Sequence, residues 1–323
     1  MRIFVTGGNG FIGSNVVRQL VAEGHQVRCL VRETSKTDRI DGVDWERFVG
    51  DVRNAETMVK GIEGCDAVIH LASPSSWNDI DSPDMADIVE GGTRNILDAA
   101  RKAGNPRVVY CSSVIAINGT TTNTVQDETA TFTLNDPKMV YAMSKNNAEI
   151  ICDDYIRDYQ MDIVTVNPAE VYGPEDTGMV TSGTLIDFVK STPVMVSKGG
   201  TAVTHVEDVA NGIVRALEKG KSGERYILGG DNLTIHELAA LTLDIVGRKS
   251  SIVTVPNGVL RALTATAVTL HIPLPYNPLV VPYATLYWLF DNSKARNELG
   301  VTFRPARETL ESVLTWLKEA KHI

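Results

Sequence analysis

Tyr141 and Lys145 stand four residues apart in Tyr141-Ala142-Met143-Ser144-Lys145, and no other tyrosine of the chain has a lysine at that spacing. On a helix, residues i and i+4 share a face, so the phenol and the ammonium are expected as neighbours. An unperturbed phenol titrates near ~10. A positive charge beside it favours the phenolate and brings the group toward use as an acid or base at neutral pH. A partner for the same chemistry is expected from Ser112-Ser113, which ends the run Arg107 to Cys111. A serine at the C-terminal end of a parallel strand faces the ligand crevice. Ser113 is therefore the first candidate to hold a substrate oxygen, with Ser112 as the alternative.

A second chemical signal lies at the start of the chain. Ile3-Phe4-Val5 runs into Thr6-Gly7-Gly8-Asn9-Gly10-Phe11-Ile12-Gly13, in which Gly7, Gly10 and Gly13 recur every third residue. A strand that turns sharply into a helix at such a loop can bring its backbone against a pyrophosphate. The helix N-terminus then offers free N–H groups and a partial positive charge. The end of the second expected strand chooses between dinucleotides. An acid there would bind a ribose 2′-hydroxyl. The chain instead reads Val31-Arg32, with Lys36 close behind. A guanidinium suits a 2′-phosphate in charge and geometry, which favours NADP(H) over NAD(H).

These groups need a scaffold, and the hydrophobic pattern supplies one. Strands are expected at residues 3–5, 27–31, 45–49, 66–70, 107–111 and 163–167. Helices are expected at 10–23, 54–61, 85–103 and 138–159. Such alternation implies an α/β fold, a Rossmann-type doubly wound parallel sheet with helices on both faces. After Pro168 the pattern weakens. Helices are expected at 206–217, at 233–246 behind the capping box Thr234-x-x-Glu237, and at 306–320, with short strands at 226–228 and 252–254. Residues 1–170 read as the nucleotide-binding domain, with segments near 200–230 returning to it. Residues 171–323 read mainly as a smaller, mixed substrate lobe.

Composition narrows the function classes. Of 323 residues, 31 are Lys or Arg and 40 are Asp or Glu, a net charge of −9, which argues against sequence-independent nucleic-acid binding. Hydrophobic residues make up 43% and charged residues 22%, enough for a sizeable core. Cys29, Cys65, Cys111 and Cys152 are scattered, with no C-x-x-C pair, so neither a disulfide framework nor a metal site is expected, and a reducing cytoplasm is. No signal peptide is read at the start. The uncharged stretch Ala262–Phe290 contains Pro273, Pro275, Pro278 and Pro282, which argues against a membrane-spanning helix. That stretch is expected to be mostly core, with an apolar substrate wall or lid as the functional alternative. The loop Ser75–Pro83 with Trp77 and the segment Gly173–Val196 are further candidates for substrate choice. Trp45, Tyr159 and Trp316 are expected to pack, and His25 and His70 to be structural.

The motifs together resemble the extended short-chain dehydrogenase/reductases, the NAD-dependent epimerase/dehydratase family. Matching pieces run almost end to end. They are Thr6-Gly7-x-x-Gly10-x-x-Gly13, Gly50-Asp51-Val52, His70-Leu71-Ala72, Ser112-Ser113, Tyr141-x-x-x-Lys145, Asn167-Pro168-Ala169-Glu170-Val171-Tyr172-Gly173-Pro174 and His205-Val206-Glu207-Asp208-Val209-Ala210. The resemblance implies that the tyrosine exchanges a proton with the substrate oxygen, that the lysine tunes it and binds the nicotinamide ribose, and that the serine holds the oxygen. It implies that Asp51 and Val52 lie near the adenine, that Leu71, Ala72 and Ser73 lie along the cofactor, and that Asn167, Pro168, Ala169 and Val171 lie beside the nicotinamide.

The departures from the family pattern are informative. The segment usually written N-V-x-G-T reads Val89-Glu90-Gly91-Gly92-Thr93, without the asparagine. Val114-Ile115 stands where dehydratases carry an Asp-Glu pair, which excludes dehydratase chemistry. Gly199–Thr204 lacks the arginine that many nucleotide-sugar epimerases use for the diphosphate. Val31-Arg32 and His70-Leu71-Ala72-Ser73-Pro74 resemble the dihydroflavonol-4-reductase-like branch, and the hopanoid-associated sugar epimerases share much of the same pattern. The expected activity is an NADP(H)-dependent interconversion of a ketone or aldehyde and an alcohol on a fairly apolar small molecule. The alternatives are a sugar epimerase with an internal redox cycle and a non-catalytic NADP(H) sensor. A homodimer through the long helices near 85–103 and 138–159 is the expected assembly.

Overall fold

The computed structural model describes residues 1–74, 80, 82–274 and 276–323. Trp77 and most of its loop, and Pro275, lie outside the described residues. The first half runs β1 (Arg2–Thr6), α1 (Phe11–Ala22), β2 (Gln26–Val31), β3 (Glu46–Val49), α2 (Ala55–Ile62), β4 (Ala67–His70), α3 (Gly92–Lys102), β5 (Arg107–Cys111), the short β6 (Val125–Gln126), α4 (Val140–Tyr159) and β7 (Ile163–Pro168). The second half adds β8 (Glu170–Tyr172), α5 (Ser182–Lys190), β9 (Val194–Ser197), β10 (Gly200–His205), α6 (Val206–Lys219), β11 (Arg225–Leu228), β12 (Asp231–Thr234), α7 (Ile235–Ile245), β13 (Ile252–Val255), α8 (Asn257–Thr269), α9 (Val281–Ala284), β14 (Tyr287–Phe290) and α10 (Ala306–Glu319).

Seven strands form one parallel sheet in the order β11-β7-β5-β4-β1-β2-β3. Its strands read as continuous apolar runs because both faces are buried. Alternate residues go to opposite faces. Ile3, Val5, Val109, Cys111, Val164 and Val166 pack under α1 and α6. Phe4, Val68, Val108, Tyr110 and Ile163 pack under α2, α3 and α4. The chain reverses its direction of travel across the sheet between β1 and β4, and a ligand crevice opens beyond the strand ends at such a point.

The smaller sheet has the order β12-β10-β14-β6, with β8 pairing β10 in parallel, and β9 pairs β13 separately. Three expectations change here. Residues 231–234 form a strand against β10, so α7 starts at Ile235 rather than at 233. Its capping box is intact, the Thr234 hydroxyl accepting from the Glu237 N–H at 3.1 Å and the Glu237 carboxylate from the Thr234 N–H at 2.8 Å. The helix expected from 85 to 103 begins with a π-turn over Asp87–Gly91 before α3. The stretch Ala262–Phe290 divides. Leu286, Tyr287, Trp288, Leu289 and Phe290 are buried because β14 lies between β10 and β6. α8 buries only Thr264 and Ala267, and leaves Leu263, Val268, Leu270 and Ile272 more than half exposed. Tyr159 packs at the surface. It stands 47% exposed, against Tyr155 and beneath the Arg101 guanidinium. Among the described residues, no helix is long and apolar enough to cross a membrane.

Candidate active site

The glycine loop sits where β1 meets the end of β4, and its glycines are required by the fold as well as by any ligand. Gly7 has φ +71°, and a Cβ there would lie 2.9 Å from the Ala72 nitrogen. A Cβ on Gly13 would lie 2.0 Å from the Gly7 carbonyl oxygen, which itself accepts from the Gly10 N–H at 3.0 Å. Gly10 is the N-cap of α1, without a side-chain cap and without an acid in the first turn. The first N–H groups of α1, at Phe11, Ile12 and Gly13, therefore remain for an anion, and the cradle fits a dinucleotide pyrophosphate. Phe11 and Ile12 turn their side chains to the core under α1.

Thr6 locks this loop to β4. Its hydroxyl accepts from the Leu71 and Ala72 N–H groups, both at 3.2 Å, and so gives its own proton to His70 Nδ1 at 2.7 Å. His70 then donates from Nε2 to Thr93 Oγ1 at 3.3 Å, and Thr93 donates to the Val89 carbonyl at 2.6 Å. Burial, with the Lys145 charge second, pushes the His70 pKa down to about 3. His70 is a neutral structural link, as its position beside a strand led one to expect.

Arg32 and Lys36 are exposed beyond β2. The Arg32 N–H donates to the Ser35 hydroxyl, and Asn9 donates to the Lys36 carbonyl, which ties this segment to the glycine loop. Asp51 is half-buried, with its carboxylate held by Arg53 at 3.0 and 2.9 Å. That pairing holds its pKa below the usual carboxylate range, with a smaller contribution from Arg32. The side chain of Val52 packs on Gly92 in the core, and Val171 is buried beneath α1 and α6. These two offer backbone rather than side chains to the crevice.

Tyr141 and Lys145 both lie on the first turns of α4, but their coupling differs from the expectation. Lys145 is 2% exposed, and its Nζ donates to the Cys111 carbonyl at 2.9 Å, with the Tyr110 ring beneath it at 5.3 Å. Burial lowers its pKa. The Tyr141 phenol lies against the Ser73 hydroxyl, and burial raises its pKa. Burial, not the Lys145 charge, sets the direction of that shift, and the ammonium is bonded to the Cys111 carbonyl on β5. Helical spacing puts the two residues on one face, whereas the nearest acceptor sets where the long side chain points.

Ser112 and Ser113 follow β5. The Ser113 hydroxyl accepts from the Ile115 N–H at 3.4 Å, which leaves its own proton to donate. Its carbonyl accepts from Asn167 Nδ2 at 3.0 Å, and the same nitrogen donates to Glu149 Oε1 at 2.6 Å. Arg225 bonds the other Glu149 oxygen at 3.2 Å. Burial raises the Glu149 pKa against the pull of Ser112, Arg225 and Asn167. The fold thus brings Ser113, Tyr141, Lys145 and Asn167 together around the ends of β5 and β7. Pro168 ends β7, and Ala169 joins the apolar cluster that includes Tyr141. Glu149 went unread in the sequence, although Tyr141, Lys145 and Glu149 form an i, i+4, i+8 stripe. Arg225 carried no signal, since β11 is distant in the chain.

An apolar cluster packs against Tyr141. It contains Ile80, Val114, Ile115, Ala142, Leu279 and Tyr283. The Tyr283 hydroxyl accepts from the Ala142 N–H at 3.4 Å. Away from this site, ligand atoms of Glu23, His25 and Glu218 come within 4.8 Å of one another, but the Arg215 guanidinium already pairs with both carboxylates.

Comparison with known proteins shows the family and the fold. The model of the NAD dependent epimerase/dehydratase family matches residues 3–229. The protein named "Putative dihydroflavonol 4-reductase" from Synechocystis sp. is 32% identical, over 99% of this chain and 95% of its own length. "Sterol demethylase protein B" of Methylococcus capsulatus is 29% identical, over 99% of each. The crystal structure of gox2253 superposes with a TM-score of 0.86 at 31% identity, covering 99% of both chains.

Proposed function

The chain belongs to the NAD dependent epimerase/dehydratase family, as an NAD(P)-dependent oxidoreductase, and we propose that it is an NADP(H)-dependent reductase of a ketone or aldehyde on a fairly apolar small molecule. The observation that carries the reading is the apolar cluster packed against Tyr141, to which Val114, Ile115, Leu279 and Tyr283 contribute. A diphosphate sugar asks for a charge-assisted partner, and a ring system of the flavonol or sterol kind asks for apolar walls. The names of the two relatives, a dihydroflavonol reductase and a sterol demethylase protein, agree with the latter.

In this reading the N–H groups at the start of α1 hold the pyrophosphate, and Arg32 with Lys36 meets the 2′-phosphate. Residues 1–170 carry the cofactor, joined by later strands such as β11, and residues 171–323 mainly carry the substrate. When bound, the dinucleotide exchanges a hydride with the carbonyl carbon. Ser113 donates its hydroxyl proton to the carbonyl oxygen as a hydrogen bond. Tyr141 gives that oxygen its proton as the alcohol forms, and solvent returns a proton to the phenolate. Lys145, anchored on the Cys111 carbonyl, places a positive charge beside the site. A homodimer through α3 and α4 and a reducing compartment, which suits four free, buried cysteines, belong to the same proposal.

The test is cofactor identity and exchange on the purified protein. The nucleotide is identified by mass after denaturation, and fresh protein is titrated with NADPH and NADH. We expect exchangeable binding with NADPH preferred, and a loss of about tenfold or more in NADPH affinity on Arg32→Ala with NADH little changed, the scale of one charge-assisted contact. A tightly held oxidised nucleotide that does not exchange would instead support an epimerase, because only an internal redox cycle runs without releasing it.

A further inference from the structure

We propose that Glu149 is a positioning residue for Ser113, acting through the Asn167 side-chain amide; the inference rests on the reductase reading above. Asn167 is fully buried, and its Nδ2 donates at once to Glu149 Oε1 at 2.6 Å and to the Ser113 carbonyl at 3.0 Å. Two acceptors on one nitrogen fix which way the amide faces. Turned over, Asn167 would set its own oxygen against a carboxylate and a carbonyl. Glu149 therefore fixes the amide, the amide fixes the Ser113 carbonyl, and the backbone at Ser113 aims its hydroxyl. Ser113 is extended, with φ −164° and ψ 156°, and caps a single 3-10 turn at Val114–Ala116, whose Ala116 N–H donates to the Ser113 carbonyl at 3.0 Å, so the Asn167 amide and this one turn together set its backbone.

Glu149 is itself held from behind. Arg225 spans from its Oε2 to the Glu128 and Ala130 carbonyls, at 3.2, 2.7 and 2.9 Å. Behind Glu149 lies a polar cavity of about 310 Å³ lined also by Asp153, Thr165 and Lys294. The carboxylate is thus buried toward the site and braced toward the surface. Glu149 also holds the Ser112 hydroxyl, next to Ser113 in the chain, but among the described residues only the Asn167 amide joins the carboxylate to the Ser113 carbonyl, by bonds of 2.6 and 3.0 Å, and that is the route proposed. A displacement of about 1 Å at a substrate-orienting group costs on the order of a hundredfold in rate.

The test is a double-mutant cycle in kcat, with NADPH affinity and thermal unfolding measured alongside. Glu149→Ala should lower kcat by about tenfold or more, with the NADPH dissociation constant within about twofold. Glu149→Gln keeps an acceptor for Asn167 and should stay within about threefold of the wild type. In a Ser113→Ala background, Glu149→Ala should add less than about twofold, because the group it positions is gone. An equal loss in both backgrounds overturns the proposal. If Glu149→Ala does not fold, a tenfold loss in Glu149→Gln overturns it instead. A crystal structure of Glu149→Ala tests the link without substrate. Release of the Asn167–Ser113 bond supports it, and an unchanged bond rejects it. Absence of ketone reduction in the wild type would count against the reductase reading, and leaves the structural test of Glu149 in force.

Discussion

In the proposed mechanism the chemistry turns on where one phenol keeps its proton. Burial raises the Tyr141 pKa, so the group is a loaded acid at neutral pH. The sign has a kinetic consequence. A raised pKa keeps the proton on as pH increases, so reduction should be flat between about pH 6 and pH 9. Oxidation of the alcohol needs the phenolate and should rise throughout that range. Tyr141→Phe should bind NADPH as the wild type does and lose at least about a hundredfold in turnover in both directions. Steady-state rates over pH for the two proteins check both statements, and wild-type rates in the variant would remove Tyr141 from the mechanism. At this scale the residue types were legible in the sequence, because Tyr141, Lys145, Ser113 and Gly7 each stand in a short local pattern. The direction of the Tyr141 shift was not, since it depends on atoms that surround the phenol from β4, β5 and α9.

The elements hold these groups through backbone contacts that tolerate little. α1 approaches the glycine loop so closely that a methyl group at position 13 has no room beside the Gly7 carbonyl. Gly13→Ala should cost about 1–3 kcal/mol in stability and abolish measurable NADPH binding, since relieving the clash moves the N–H groups that would meet the phosphates. Denaturant unfolding and fluorescence titration check it. A variant with unchanged affinity would show that the α1 N-terminus is not the anion site. The capping box at Thr234 was read from four residues, because a cap is a local interaction. The start of α7 was misjudged by two residues for the opposite reason. Asp231–Thr234 is a strand only because β10 lies beside it.

For the whole molecule, the uncharged stretch from 262 to 290 shows how composition underdetermines burial. One segment enters the smaller sheet and the other lies on the surface. Phe290→Ala removes a fully buried ring and should cost about 3–5 kcal/mol. Leu263→Ala acts on a side chain 61% exposed and should stay within about 0.5 kcal/mol. Urea unfolding of the two variants distinguishes these positions, and equal costs would contradict the division. The same scale explains the sheet. β11 is an edge strand of the large sheet although it lies in the chain between β10 and β12 of the smaller one, and Arg225 at its start reaches Glu149 on α4.

What the sequence determined by itself was whatever depends on neighbours in the chain. Alternating apolar runs and helical spacing specified a parallel sheet with helices, the glycine turn, the Tyr141–Lys145 stripe and the caps. What only the tertiary structure decided was whatever depends on neighbours in space. The Lys145 ammonium turned to Cys111, the raised Tyr141 pKa, the neutral His70 between Thr6 and Thr93, the Glu149–Asn167–Ser113 chain and the exposed face of α8 all arise between elements far apart in sequence. Local conformation follows from torsional preference and nearby hydrogen bonds. Burial and electrostatics follow from which surfaces the fold presses together, and no single stretch of the chain contains that information.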